Sequence, residues 1–169
     1  MKLLGKITDE DFNFKIKSVK NYKKRRAARA ILMNAKKRIA LLNVSKFHYH
    51  KLPGGGVKAR ETVRAALKRE VREEVGTDLK IRKEIGKVVE FRNKFKLKQI
   101  SYYFLAEAEL DAKEPSFTHL EKSQGFKLKW VTIDKAIDIL STDRPKNYEG
   151  KFIQKRDPIL LTETVRKKK

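Results

Sequence analysis

In a chain dominated by cations, the stretch GGGVKARETVRAALKREVREEVGT at residues 54–77 holds four glutamates, three of them bunched at Glu70, Glu73 and Glu74. A helix from about Glu61 to Val75, turning roughly 100° per residue with Val63 at zero, places Leu67 at about 40°, Val71 at about 80° and Ala66 at about 300°. One apolar stripe then faces a core. Glu74 falls at about 20°, Glu70 at about 340° and Glu73 at about 280°, inside or beside that stripe, whereas Lys68, Arg72 and Glu61 take the solvent-facing arc. A merely solvated charge run would put the glutamates on the arc of Lys68 and Arg72, and the geometry does not. Poorly hydrated carboxylates at i, i+3 and i+4 repel one another and call for a cation. All-oxygen ligands in a chain without cysteine favour a hard divalent ion, Mg²⁺ or Mn²⁺. On this reading, removing one crowded carboxylate should hold or raise the thermal stability of the metal-free protein.

The pattern Gly55, five residues, Glu61, seven residues, then Arg69-Glu70-Val71-Arg72-Glu73-Glu74-Val75-Gly76 resembles the Nudix box, the signature of the Nudix hydrolases. Two positions depart from it. Thr77 stands where the family usually has an aliphatic residue, and Lys58-Ala59-Arg60 replaces the usual acidic or glycine-bearing lead-in. Neither departure removes a carboxylate. The resemblance implies Mg²⁺-dependent cleavage of a phosphoanhydride in a nucleoside diphosphate linked to some moiety X. Glu70, Glu73 and Glu74 are then the metal ligands, with Glu70 or Glu73 the catalytic proton acceptor. The Gly55 carbonyl is a further ligand, Glu121 completes the metal shell from a distant loop, and Glu61 with Arg69 is a structural pair joining loop to helix. Arg29 and Tyr103 are the candidates for substrate contact.

The helix needs a scaffold to present it. The glycine loop leads in, good helix formers fill Ala65 to Glu70, and Gly76 is a stop signal. Alternation at Phe12, Phe14 and Ile16 predicts a short strand that lapses at Ser18. Ala27–Met33 and Arg38–Val44 read as a strand pair, and Phe47–Leu52 as a short strand running into Pro53. Leu79–Ile81, Val88–Phe95, Gln99–Leu110 and Phe126–Val131 follow as strands, with a tight turn near Asn93–Lys98. Thr132 is a cap for a helix marked by Ile133, Ala136, Ile137 and Leu140, and Asp157-Pro158 reads as cap and first residue of a last helix at about 158–166. This order is similar to the Nudix fold, an α/β/α sandwich around a mixed β-sheet. The similarity spans about residues 24–145 and includes the late Lys127–Thr132 segment.

With 169 residues and 40% hydrophobic content, one Nudix domain over 1–169 is expected. No apolar run approaches the length of a membrane span, and MKLLGKITDEDF is too charged for a secretion signal, so a cytoplasmic protein without a membrane partner is expected. The sequence sets no oligomeric state. The formal charge of +22, from 43 Lys and Arg against 21 Asp and Glu, is concentrated in a basic N-terminal strand or arm at about residues 1–26 and in the tail VRKKK. Such a surface suits steering of phosphates, on a small nucleotide or on RNA gripped so that its 5′ end is the substrate, and suits equally a solubilising surface bias with no ligand. A silent Nudix module that binds nucleic acid is a third reading, but it gains nothing from three carboxylates that repel phosphate. His48 and His50, without a third ligand nearby, suit ordinary pocket or surface positions better than a metal site. Phe91, Phe95, Tyr49, Tyr102 and Tyr103 offer a stacking face for a base, although strand aromatics more commonly pack.

Overall fold

The computed structural model describes residues 1–17, 19–109 and 113–166. Its strands are β1 (Leu3–Ile7), β2 (Lys23–Met33), β3 (Ile39–Val44), β4 (Tyr49–Lys51) and β5 (Gly54–Gly56), then β6 (Leu79–Arg92), β7 (Leu97–Ala108) and β8 (Phe126–Val131). The helices are α1 (Val63–Val75) after β5, α2 (His119–Ser123) before β8, and α3 (Ile133–Thr142) and α4 (Tyr148–Arg166) at the end. The eight strands form one mixed sheet in the order β1-β6-β7-β2-β3-β4, with β5 paired to β2 and β8 to β3. The β1–β6 and β2–β7 pairs are parallel, and the rest are antiparallel.

Side chains alternate across a strand, so β2 feeds both faces of the sheet. Ala28, Ala30 and Leu32 pack with Ala66, Leu67, Val71 and Val75 of α1. Ile31 packs on the other side with Leu140 of α3 and Phe152, Leu160 and Leu161 of α4. Helices therefore cover both faces of the mixed sheet, which is an α/β/α sandwich. No described helix is long and apolar enough to cross a membrane.

Several elements differ from the sequence reading. Residues Asp9–Phe12 form a 3₁₀ turn, and no strand follows among the described residues up to Ile16; Phe12 and Phe14 pack instead on Phe152 and Tyr148, at ring distances of 4.8 and 5.3 Å. The N-terminal strand is Leu3–Ile7. The basic residues Lys23–Arg26 lie in a strand: they begin β2 and pair with Leu97–Ile100 of β7, because main-chain pairing is indifferent to the charge of side chains that reach solvent. Leu79–Ile81 and Val88–Phe95 belong to one strand, β6, ending at Arg92, whose polar middle is accommodated by irregularities between Ile81 and Lys83 and between Glu84 and Gly86. Phe47 closes a 3₁₀ turn, so β4 starts at Tyr49. Pro158 does not start a helix but lies inside α4. Leu110, Ser18 and the last three tail residues lie outside the described residues.

Candidate active site

Helix α1 is cut to length by its caps. The Thr62 hydroxyl accepts from the Ala65 amide, and Gly76 ends the helix at φ 76°, donating its amide to the Arg72 carbonyl. The unusual Thr77 is buried, and its hydroxyl donates to the carbonyls of Asp78 and Glu109, each at 2.9 Å. A hydrogen bond thus occupies the place of an aliphatic contact.

The rotation set by these caps separates the three glutamates. Glu74 is 1% exposed; its Oε2 accepts the Gly54 amide at 2.6 Å and its Oε1 accepts from the Lys51 ammonium at 2.6 Å. Burial raises the Glu74 pKa, opposed by Lys51 and the Gly54 amide. Glu70 is half-buried, and its carboxylate lies so close to Gly55 that a Cβ there would meet its carboxyl carbon at 2.4 Å. Only glycine leaves room for that carboxylate. Glu73 lies at the rim, its side chain 43% exposed.

Arg69 organises this group. Its Nε and Nη2 grip Glu61 at 3.0 and 3.1 Å, Nη2 also reaches the Gly56 carbonyl at 2.9 Å, and Nη1 donates to Glu70 at 2.7 Å and Glu73 at 3.3 Å. The fork ties the glycine loop to α1. It also holds the Glu61 carboxyl down to about 2, with the Lys58 amide assisting.

Glu70, Glu74, Gly55 and Glu121 line one cavity of about 300 Å³, together with Lys51 and Arg29. Glu121 arrives there on α2, where it also forms a capping box with Thr118. Glu73 is not among the described residues lining this cavity. As the side chains stand, no three acidic or histidine groups among the described residues close on a common point, because Lys51 holds Glu74 and Arg69 holds Glu70 and Glu73. The donor set nevertheless fits a hard divalent ion: two carboxylates, a third from α2, a main-chain carbonyl and a glycine recess, without nitrogen or sulfur.

Of the expected substrate contacts, Arg29 lines the cavity, 5% exposed, and donates Nη1 to the Gly54 carbonyl. Tyr103 does not reach it. It is fully buried because β7 is an inner strand covered on both faces, and its hydroxyl donates to Asp157 at 3.2 Å. His48 and His50 share no site either: His48 closes a turn at φ 58°, while His50 Nδ1 lies 3.0 Å from Asp143. Two residues of the site escaped the sequence reading, namely Lys51 and Glu149. Lys51 adjoins the glycine loop, but nothing local marks Glu149.

Beside the cavity opens a larger cleft of about 930 Å³, lined by Lys23–Arg26, Lys58, Arg92 and Phe95. Arg25 and Glu149 border both. A NUDIX domain family model matches residues 23–154, which takes in the box, the cavity and the cleft.

The chain belongs to the NUDIX domain family. Nudix proteins are hydrolases of phosphoanhydride bonds, and solved structures of such enzymes share its fold. The MutT protein of Methanosarcina mazei Go1 superposes with a TM-score of 0.61 at 20% identity, covering 90% of this chain and 100% of that one. A UDP-X diphosphatase gives 0.57 at 19% identity over 95% of this chain and 70% of its own. An ADP-ribose pyrophosphatase of Streptococcus suis gives 0.54 at 16% identity over 86% and 92%. No curated protein matches the chain.

Proposed function

We propose that this Nudix protein is a divalent-metal-dependent pyrophosphohydrolase that cleaves a phosphoanhydride bond in a small nucleotide, a nucleoside diphosphate linked to X. The observation that carries this reading is the shared cavity, which Glu70, Glu74 and Glu121 line together with Gly55 beside a basic cleft. Glu70, Glu74, Glu121 and the Gly55 carbonyl would hold Mg²⁺ or Mn²⁺, with Glu73 joining from the rim after leaving Arg69. The bound metal would neutralise the phosphates and acidify the attacking water. Glu70, on the cavity wall, would be placed to take the proton from that water. Arg29 and Arg25 meet the phosphates, and the exposed ring of Phe95 gives the cleft an aromatic edge for a base. The named activities of the structural neighbours cover ADP-ribose and UDP derivatives, so the fold alone selects no X.

The test is a hydrolysis screen with Mg²⁺ and Mn²⁺ over nucleoside triphosphates, ADP-ribose, UDP-sugars and 5′-triphosphorylated RNA. Turnover of at least one mononucleotide, lost on chelation, is the expected result. A folded protein that hydrolyses none of them with either metal overturns the reading. Hydrolysis of RNA 5′ ends is a second reading, favoured by the four consecutive cations Lys23–Arg26 along the cleft.

A further inference from the structure

The cleft and the cavity meet at a group of arginines that the metal site does not use. Arg92 is buried and donates Nη1 to Glu149 at 3.0 Å and Nη2 to Glu90 at 2.9 Å. Arg25 donates Nη1 to the neutral Gln99 at 2.7 Å, and its guanidinium lies across Gly56, with Nη2 3.1 Å from where a Cβ would stand. Arg29 meets only a main-chain carbonyl, Gly54. The buried Nε atoms of Arg29 and Arg92 have no acceptor among the described residues. Neither Arg25 nor Arg29 is ion-paired among the described residues. Arg92 is thus paired with both Glu90 and Glu149, while Arg25 and Arg29 line the same cavity as Glu149, whose side chain is 46% exposed. Burial would raise the Glu149 pKa, yet Arg92, Arg25 and Arg29 outweigh it and hold the carboxyl below its usual range, as expected of an anion seated among all three.

Charge counting gives the ligand. Arg92 is balanced by Glu90 and Glu149, so the cations left without an anionic partner among the described residues are Arg25 and Arg29, two positive charges that a phosphoryl dianion matches, and guanidinium forks suit phosphate oxygens. The position gives its place in the substrate. Arg25, Arg29 and Glu149 line the cavity that holds Glu70 and Glu74, so a chain of phosphates whose anhydride lay at the metal these carboxylates would hold would reach the arginines with its terminal group.

We propose that Arg25 and Arg29 form a subsite for the terminal phosphate of a nucleoside triphosphate or a 5′-triphosphorylated end, with Glu149, held beside them by the buried Arg92, as its built-in occupant that the phosphate displaces. This rests on the hydrolase reading for the identity of the reaction, but the subsite can be measured without turnover.

The measurement is calorimetric binding of inorganic tripolyphosphate to the full chain in EDTA, at low salt. Arg25→Gln should weaken binding about tenfold and Arg29→Met by as much or more, whereas Glu149→Gln, which removes the competing anion, should tighten it several-fold. Lys36→Gln with Lys37→Gln removes two charges from the turn at the far end of β2 and should change affinity less than about twofold. Equal weakening by that control, or weaker binding in Glu149→Gln, overturns the subsite. Arg25 is exposed and Glu149 half-exposed, so these variants decide the matter even if Arg29→Met does not fold. In turnover, the ratio of kcat/KM for GTP over a UDP-sugar should fall about tenfold in Arg25→Gln. An unchanged ratio with unchanged tripolyphosphate binding removes the subsite and leaves the hydrolase reading standing. Absence of turnover on every substrate removes the hydrolase reading and leaves the subsite to the calorimetry. A 5′-triphosphorylated trinucleotide should depend on Arg25 as GTP does; dependence seen only with the RNA overturns the terminal-phosphate assignment.

Discussion

The ammonium of Lys51 lies 2.6 Å from Oε1 of Glu74, with both side chains buried and the Gly54 carbonyl 3.3 Å from the same nitrogen. A cation attached to the chain thus occupies the carboxylate that a metal ion would claim, and metal binding has to separate this pair.

Replacing Lys51 by Met leaves Glu74 buried with only the Gly54 amide as partner. The metal-free variant should melt earlier, by the equivalent of about 3 kcal/mol, as when one partner of a buried ion pair is removed. Mn²⁺ should then raise its melting temperature more than it raises that of the wild type, since no tethered cation competes. Melting curves with and without Mn²⁺ check both effects; an equal metal shift in the two proteins would show that Lys51 does not compete.

The same pair separates two glutamates that look alike in sequence. Glu73→Gln and Glu74→Gln should each lower turnover by orders of magnitude at saturating Mg²⁺, through loss of a metal ligand. Their metal-free stabilities should differ. Crowding predicts that removing either carboxylate stabilises the chain, but Glu74 is already neutralised, so Glu74→Gln strands a buried ammonium and should destabilise. Glu73 is exposed at the rim and its loss should change stability little. Parallel melting and activity assays would expose the error if both variants melted alike.

Glu90 offers an acid-stability test remote from the metal site. It is fully buried, accepting from Arg92 on its own strand, Gln99 at 2.6 Å on β7 and Arg156 at 3.3 Å on α4. Burial would raise its pKa, but Arg156 and Arg92 outweigh that and hold it down to about 2. A carboxyl with a folded pKa below its unfolded value near 4.3 stabilises the fold above that value, and the contribution is lost as pH falls toward 2. Unfolding free energy should therefore decline between about pH 4.5 and 2. In Glu90→Gln it should be lower at pH 7 by about 3 kcal/mol and flatter across the acid window. Equal slopes would remove Glu90 from the acid transition.

Sequence carried the box helix and the late strand and helix well, because Thr62, Gly76 and Thr132 are local signals and the apolar spacing of α1 and α3 is regular. Its reach ended where tertiary contacts decide. Lys23–Arg26 look like a solvated arm, yet the backbone beneath them is paired with β7 and the charges form the wall of a cleft. Asp157-Pro158 has the form of a helix start, but the Asp157 carboxylate is turned into the core, where it accepts the Leu52 amide at 2.9 Å and Arg156 Nε at 2.7 Å, while α4 runs on. Tyr103 resembles its neighbour Tyr102 in every local respect; pairing with an inner strand on each side is what hides it. Glu149 acquires a role only because α4 packs back over the sheet and brings it to arginines from β2 and β6, at sequence separations that no spacing rule covers.

The basic strand finally separates an RNA reading from a mononucleotide reading. Lys23, Lys24 and Arg26 are exposed along the cleft, while Arg25 between them turns to Gln99 and the terminal-phosphate subsite, so three cations are left to follow a phosphate backbone. Each phosphate contact releases a condensed counterion, and the affinity of single-stranded RNA falls with salt by roughly 0.7 log units per contact per tenfold salt. Replacing the three by Gln should flatten that slope by about two if all of them touch RNA, while kcat/KM for GTP, which is too short to reach all three, should fall far less than RNA binding does. Fluorescence anisotropy of a labelled 5′-triphosphorylated oligonucleotide at several salt concentrations gives the slope. An unchanged slope would make the strand a charged wall without an RNA role. A flattened slope with RNA turnover lost and GTP turnover largely kept would mark the 5′ end of RNA as the substrate that the cleft is shaped to hold.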